Sequence, residues 1–344
     1  MKTIFESYNV RGLPEGCKYC LRGEKLVLFV GGKCSRACWY CSLSNFRKKS
    51  DECFANERTV KEDIDLINEA KESNARGAGI TGGDPLVYFE KTLRYSKLLK
   101  KIFGNKFHIH IYLPLNLVSK EKIKKLEPFI DEFRFHPNFL INKEIDYGEI
   151  EKIKMVSQIC GKNRVGLELP MMPEKTNDIY NYVIKLRGYV SFLNLNEFEI
   201  SETNFKTITK KYSLNEDTYT IRNSISEGQK LIEMLKKEKI KIHLCSARTK
   251  DGYQYVNRLK KHNIMPYGKR LSDGNVAYFV IYSNNVNKDL KIISNITNKF
   301  VLDKNRFILS KSSVRKLYNK TNLKIEKIIE PPVWNADYME RTEL

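Results

Sequence analysis

Leu26-Val27-Leu28-Phe29-Val30-Gly31-Gly32-Lys33-Cys34-Ser35-Arg36-Ala37-Cys38-Trp39-Tyr40-Cys41 is the stretch that decides the fold. Its first five residues form an unbroken apolar run, the length and composition of a strand buried on both faces. Two glycines end the run, and the loop after them carries three cysteines spaced C-x3-C-x2-C. A buried strand feeding a loop of reactive side chains is the repeating unit of (β/α) barrels, whose sites are built at the C-terminal ends of strands.

The same unit recurs downstream. Beyond Asn56 a helix is predicted: Thr59 and Glu62 have capping-box spacing, and Ile64, Ile67 and Ala70 share one face. Ala78-Gly79-Ile80-Thr81 then reads as a second strand, ending at Gly82-Gly83-Asp84-Pro85. Further strands are expected over 107–112, 132–135, 165–169, 192–198 and 240–244, separated by helices over 90–103, 120–126, 149–160, 177–187 and 226–237. Alternation of this kind indicates βαβ units on a parallel sheet. The expected fold is α/β, a partial (β/α) TIM-like barrel over residues 25–250. Residues 1–24 form an N-terminal segment with a cysteine pair. Over residues 251–344 the pattern changes to strands at 277–281 and 323–329 with a helix at 312–318, a small α+β C-terminal extension.

The chain of 344 residues is 41% hydrophobic and 11% aromatic, enough to bury a core and against disorder. No apolar run approaches the roughly 18–20 residues of a membrane span, and the N-terminus lacks the apolar centre of a signal peptide. A soluble, cytoplasmic chain with no membrane partner is expected. The net charge of +20 favours a polyanionic partner such as tRNA or another RNA. Arg47-Lys48-Lys49, with Lys120, Lys122, Lys124 and Lys125, would supply the phosphate contacts. Against this, many lysines alternate with glutamates as on any solvated helix face.

Eight cysteines in a cytoplasmic chain point to metal or redox chemistry before disulfides. The density of thiolates at Cys34, Cys38 and Cys41 suits iron–sulfur or zinc. Three ligands on a four-iron cluster leave one iron open to a small molecule, as a catalytic site needs. Zinc would want a fourth cysteine or histidine close by, and a ferredoxin a fourth cysteine at other spacing. At the second strand end, Gly82 and Gly83 permit close backbone approach, and Asp84 offers a carboxylate to an ammonium group. On its own, Gly-Gly-Asp-Pro also makes an ordinary turn. Cys17-x2-Cys20 is half of a metal site, and Cys245 follows the last barrel strand. A second cluster on Cys17, Cys20 and Cys245 is therefore a candidate, against a free thiol pair and a buried cysteine. Cys53 and Cys160 have no metal spacing.

With these motifs in place, the sequence resembles the radical S-adenosylmethionine (SAM) superfamily, whose signature is C-x3-C-x-aromatic-C after the first barrel strand. Tyr40 occupies the aromatic position. The resemblance implies a [4Fe-4S] cluster on Cys34, Cys38 and Cys41, SAM chelated to the open iron, and reductive cleavage to a 5′-deoxyadenosyl radical that abstracts hydrogen. Ile80 to Pro85 resembles the Gly-Gly-Glu-Pro motif that binds the amino group of SAM, with Asp84 in place of glutamate. This implies that Tyr40, Gly82, Gly83, Asp84 and Pro85 contact SAM. Polar groups on later strands usually join them; the candidates are His110, His136, Asn194 and, foremost, Glu168.

From Gly16 through Leu86, and on through Arg134-Phe135-His136-Pro137 and Cys245 to Arg258, the chain looks like an archaeal group of radical SAM proteins related to the pyruvate formate-lyase activating enzyme. The implied partners are SAM and a reductant such as ferredoxin. Three functions follow as expectations: an RNA-modifying enzyme, a glycyl-radical activase acting on a protein, or a non-catalytic iron–sulfur or zinc module that binds RNA or a partner.

Overall fold

The computed structural model describes all residues except Lys143 and Asp217. The chain divides into two compact units, Met1–Lys71 with Ala75–Tyr255, and Glu72–Asn74 with Val256–Leu344.

In chain order the elements of the first unit are β1 (Tyr8–Val10), α1 (Glu15–Leu21), β2 (Lys25–Phe29), α2 (Asn45–Lys49), β3 (Cys53–Ala55), β4 (Arg58–Val60), α3 (Asp63–Glu72), β5 (Gly77–Thr81), α4 (Phe89–Phe103), β6 (His108–Pro114), α5 (Lys120–Leu126), β7 (Glu132–His136), α6 (Tyr147–Cys160), β8 (Val165–Met171), α7 (Thr176–Leu186), β9 (Phe192–Glu197), α8 (Phe205–Ile208), α9 (Ser224–Leu235) and β10 (Lys241–Cys245). α3 ends at Glu72, where the chain passes into the second unit. The ten strands form one sheet in the order β1-β10-β9-β8-β7-β6-β5-β2-β3-β4. From β10 to β2 every pairing is parallel. The ends are antiparallel: β1 on β10, and the β3–β4 hairpin on β2. Because β1 and β3 occupy the outer edges of β10 and β2, those two strands do not pair, and the barrel stays open. This is the partial (β/α) barrel that the alternation predicts.

Alternate residues of each strand face opposite ways. One face is apolar: Leu26, Leu28, Ile80, Ile109, Ile111, Phe133, Phe135, Leu167, Leu193 and Ile242 are fully buried in one cluster with residues of the helices, such as Leu66, Leu99 and Ile153. The other face is polar. His108, His110 and Tyr112 stand on β6; Glu132, Arg134 and His136 on β7; Glu168 on β8; Asn194 and Asn196 on β9; His243 and Cys245 on β10.

Residues 1–24, expected as a separate segment, are part of this unit, because α1 packs against the polar face. Gly16 donates its N–H to the Glu132 carboxylate at 3.2 Å, and Tyr19 stacks on His108. A Cβ at Gly16 would lie 2.5 Å from His110 Nδ1 and 2.6 Å from an Arg134 nitrogen. Only glycine lets the helix come this close.

The second unit follows with α10 (Val256–Lys261), β11 (Lys269–Arg270), β12 (Val276–Tyr282), α11 (Val286–Ile296), β13 (Phe300–Asp303), β14 (Arg306–Leu309), α12 (Lys311–Tyr318), β15 (Glu326–Glu330) and β16 (Glu340–Glu343). Its antiparallel sheet runs β13-β14-β12-β15-β16. With α11 and α12 as crossovers it is a split β-α-β arrangement. Ile281, Phe307, Leu309, Ile293 and Leu317 form the core on the helix side, and Val276, Tyr278, Val280, Ile308 and Ile328 cluster on the other face.

Candidate active site

The loop from Gly31 to Ser44 leaves β2 without regular secondary structure, and its shape is imposed by neighbouring elements. At its start, Gly83 N–H donates to Gly31 O at 2.9 Å and Asp84 N–H to Lys33 O at 2.9 Å. A Cβ at Gly83 would meet Gly32 O and Lys33 O, both at 2.3 Å. The close approach that the paired glycines allow is therefore to the cysteine loop itself. Ser35 Oγ donates to Asp84 Oδ2 at 2.5 Å.

In the middle of the loop Arg36, with its side chain only 2% exposed, ion-pairs with Glu149 on α6. It also donates to Asn116 Oδ1 at 2.9 Å and to the carbonyl of His136. Asn116 returns a bond to Ser35 O. At the far end Asn204 Nδ2 donates to Tyr40 O at 3.1 Å, and Thr203 Oγ1 donates to the carbonyls of Cys41 and Leu43. Arg36, Glu149, Asn116, Thr203 and Asn204 carry no motif. Their only trace in the sequence is the charge of Arg36 between two cysteines.

So held, Cys34, Cys38 and Cys41 are all free thiols, Cys34 exposed and the other two half-buried. They stand at the edge of a cavity of about 800 Å³ at the C-terminal ends of the parallel strands. Burial raises the pKa of the Cys34 and Cys38 thiols, so a metal, by displacing the proton, would be the route to thiolate.

Beyond the loop itself, the cavity wall includes Gly82, Gly83, Tyr112, His136, Glu168 and Asn196. His136 is partly buried and its protonation is determined by its bonds. Its Nδ1 lies 3.0 Å from Glu168 O, which can only accept, so Nδ1 carries the proton. Nε2 then accepts from Tyr40 OH at 2.7 Å. Burial first, and the Arg36 charge second, lower the His136 pKa to about 4. The ring is neutral at physiological pH.

Several residues expected to contact SAM lie elsewhere. Asp84 is fully buried and is not part of the cavity wall. Its Oδ1 accepts from Leu86 N–H at 2.8 Å and its Oδ2 from Ser35. The side chain folds back on its own turn, as short acidic side chains do, and burial raises its pKa. Its place is therefore that of a fastener for the cysteine loop. Pro85 is buried behind it. Glu168 does line the cavity, but its oxygens are occupied by Arg134, Asn194 and Asn196 at 2.9, 2.6 and 2.7 Å. His110 and Asn194 are buried away from the cavity wall. Of the basic residues assigned to phosphate contacts, Arg47 lies over the Phe54 ring, 3.5 Å from its centroid. Lys125 is paired with Glu121.

Two features of the cavity escaped the sequence reading. Lys250, at the start of a π-helical turn over Thr249–Tyr255, pairs with Glu199 at 2.9 Å, and both line the cavity. Glu197 beside them accepts from Ala247 N–H. Irregular π turns are frequent at functional sites.

Residues 28–139, which hold the cysteine loop and the glycine turn, match the profile of the radical SAM superfamily. A Methanocaldococcus jannaschii protein with the provisional name of a glycyl-radical enzyme activating enzyme is 35% identical over 310 residues, 86% of this chain and 82% of that protein. The chain belongs to the radical SAM superfamily. It is a radical SAM enzyme, and no helix among the described residues is long and apolar enough to cross a membrane. Solved radical SAM structures resemble it more loosely. The methyltransferase TsrM from Kitasatospora setae, with tryptophan and a SAM analogue, matches with a TM-score of 0.39 and 9% identity over 71% of this chain and 52% of that one. The protein anSMEcpe, with AdoMet and a peptide, matches with a TM-score of 0.39 and 17% identity over 61% and 58%. The chain thus spans little more than half of each.

The donor set of this radical SAM enzyme fits an iron–sulfur cluster: Cys34, Cys38 and Cys41 are free thiols on one loop, and cysteine thiolates are the ligands such clusters take.

Proposed function

We propose that Cys34, Cys38 and Cys41 hold a [4Fe-4S] cluster, that SAM occupies the adjoining cavity, and that the enzyme activates a partner protein by removing a hydrogen atom from a glycine residue. The observation that carries the chemistry is the gathering of three free thiols on one loop beside a cavity of about 800 Å³ floored by glycine backbone. The name of the 35% identical relative supports the protein substrate.

Cys34, Cys38 and Cys41 would hold the cluster, which would supply one-electron reduction of the SAM sulfonium, drawn from a donor such as ferredoxin, and with it the means of removing one hydrogen atom from the substrate. The chain's own residues bind, orient and exclude water. With Asp84 spent on Ser35 and Leu86, the main chain at Gly82–Gly83 is what this turn presents to the methionine end of SAM. Tyr40 and neutral His136 form a fixed wall that neither takes nor gives a proton near pH 7. The Lys250–Glu199 pair gives the cavity a polar end suited to an amide, with the ammonium to the carbonyl and the carboxylate to the N–H.

The net charge of +20 is on the side of an RNA substrate. It predicts binding that weakens steeply with salt, whereas a protein partner held by amide contacts would bind with a much shallower salt dependence.

The test is anaerobic. The protein is reconstituted with iron and sulfide, reduced and given SAM, and 5′-deoxyadenosine is measured with and without a glycyl-radical-type partner protein or bulk tRNA. Product formed by the wild type and lost in Cys38→Ala is expected, with a protein-borne radical seen by electron paramagnetic resonance when the partner is present. A loaded, reduced cluster that yields no 5′-deoxyadenosine under any of these conditions would overturn the proposal.

A further inference from the structure

The polar face of the open barrel has more sulfur and imidazole than the SAM cavity uses. Cys17 and Cys20, three residues apart and therefore on one face of α1, are 4% and 8% exposed. Cys245 and His243, two apart on β10 and therefore on the same face, are 3% and 1% exposed. None of the four lines the SAM cavity.

The two pairs meet. Cys17 Sγ and His243 Nδ1 both bond to the same oxygen, Asn194 Oδ1, at 3.5 and 2.6 Å. The orientation of that amide is unambiguous, because its Nδ2 donates to Glu168 Oε1. His243 must therefore donate from Nδ1, and in the neutral ring Nε2 holds a lone pair. That nitrogen is buried with no hydrogen-bond partner. An unsatisfied buried acceptor is costly, and a lone pair fixed in this way by a bond at the other ring nitrogen is how histidine is prepared to bind a metal.

Two of the sulfurs receive an N–H donor, Cys17 from Arg134 at 3.5 Å and Cys245 from Gln254 at 3.3 Å, and the Arg134 charge is met by Glu132 and Glu168.

We propose that Cys17, Cys20, Cys245 and His243 Nε2 form a second, buried metal centre that fastens α1 across the polar face of the barrel. The ligand set takes a soft metal. Three thiols and an imidazole are ligands that an iron–sulfur cluster takes. Asn194 and Glu168 link this centre by hydrogen bonds to the wall of the SAM cavity.

The test removes the first cluster so that the two proposals fail separately. The full chain with Cys34→Ala, Cys38→Ala and Cys41→Ala is reconstituted anaerobically with iron and sulfide, and in parallel with zinc alone, and the metal retained after gel filtration is counted. About four irons with sulfide per chain are expected, falling at least several-fold when Cys17→Ser and Cys20→Ser, or His243→Gln, are added. Zinc at one per chain with no iron would keep the ligand set but overturn the cluster. Absence of any retained metal, or metal unaffected by those substitutions, would overturn the site. Circular dichroism checks that each variant folds. Should the added substitutions prevent folding, the wild type decides: about eight irons per chain sustain the centre, and about four with no zinc refute it.

Discussion

Arg36→Ala tests whether the cysteine loop is held from the side or by its own sequence. The substitution removes a guanidinium that is 2% exposed and leaves the Glu149 carboxylate, 4% exposed, without its counter-ion. Breaking one partner of a buried pair in this way costs roughly 3–5 kcal/mol, and the bonds to Asn116 and the His136 carbonyl go with it. A loss of about 4 kcal/mol corresponds to a fall in Tm of about 8–16 °C for a unit of this size.

The loss has a sign in pH. Burial already raises the Glu149 pKa, with the Asn138 N–H and Arg36 opposing the rise. Without Arg36 the folded-state pKa rises further, while the unfolded value stays near 4.3. The unfolded chain cancels in the comparison, so the deficit against wild type grows as pH rises from the wild type's own raised folded-state pKa to the variant's higher one, and is smallest below both. Thermal unfolding followed by circular dichroism at pH 4 and pH 7.5 measures both effects, and the cycle with Glu149→Gln isolates the pair. A deficit below about 1 kcal/mol at pH 7.5, or one independent of pH and unrelieved by Glu149→Gln, would refute the reasoning.

Two further outcomes follow from the same geometry. Asp84→Ala frees Ser35 Oγ and the Leu86 N–H and should lower retained iron, while the fraction still loaded binds a SAM analogue within about twofold of wild type, a difference under about 0.5 kcal/mol. Normal iron loading with analogue affinity lost would instead make Asp84 a direct SAM contact. His136, held near 4 against an ordinary 6.5, is protonated more readily in the unfolded chain, so its contribution to stability is complete above about pH 6.5 and is lost as pH falls toward 4. His136→Asn should flatten that part of the stability curve, and an unchanged slope would place the titration elsewhere.

The secondary-structure reading succeeded where periodicity speaks for itself. The runs at 26–30 and 165–169 became parallel strands with one apolar face in the core, and the helices between them supplied the expected alternation. The cysteine loop and the glycine turn were likewise legible, since each is a short run of residue types with special chemistry or backbone freedom. The burial of Asp84 against Ser35 and Leu86 was not legible, because sequence shows a carboxylate beside two glycines but not the direction in which its short side chain turns.

What the sequence alone determined was local: which stretches form strands and helices, which loop carries three thiols, and where the backbone needs glycine. Tertiary structure decided what those pieces face. Arg36 meets Glu149 across 113 positions and Gly16 meets Glu132 across 116, contacts that no local pattern encodes. Pairing β1 with β10 keeps the barrel open, and the fold brings Cys17 on α1 and His243 on β10 to the same Asn194 oxygen. The physical reason is that periodicity specifies the face a side chain takes, whereas its partner is selected by strand order, sheet curvature and close packing over the whole fold.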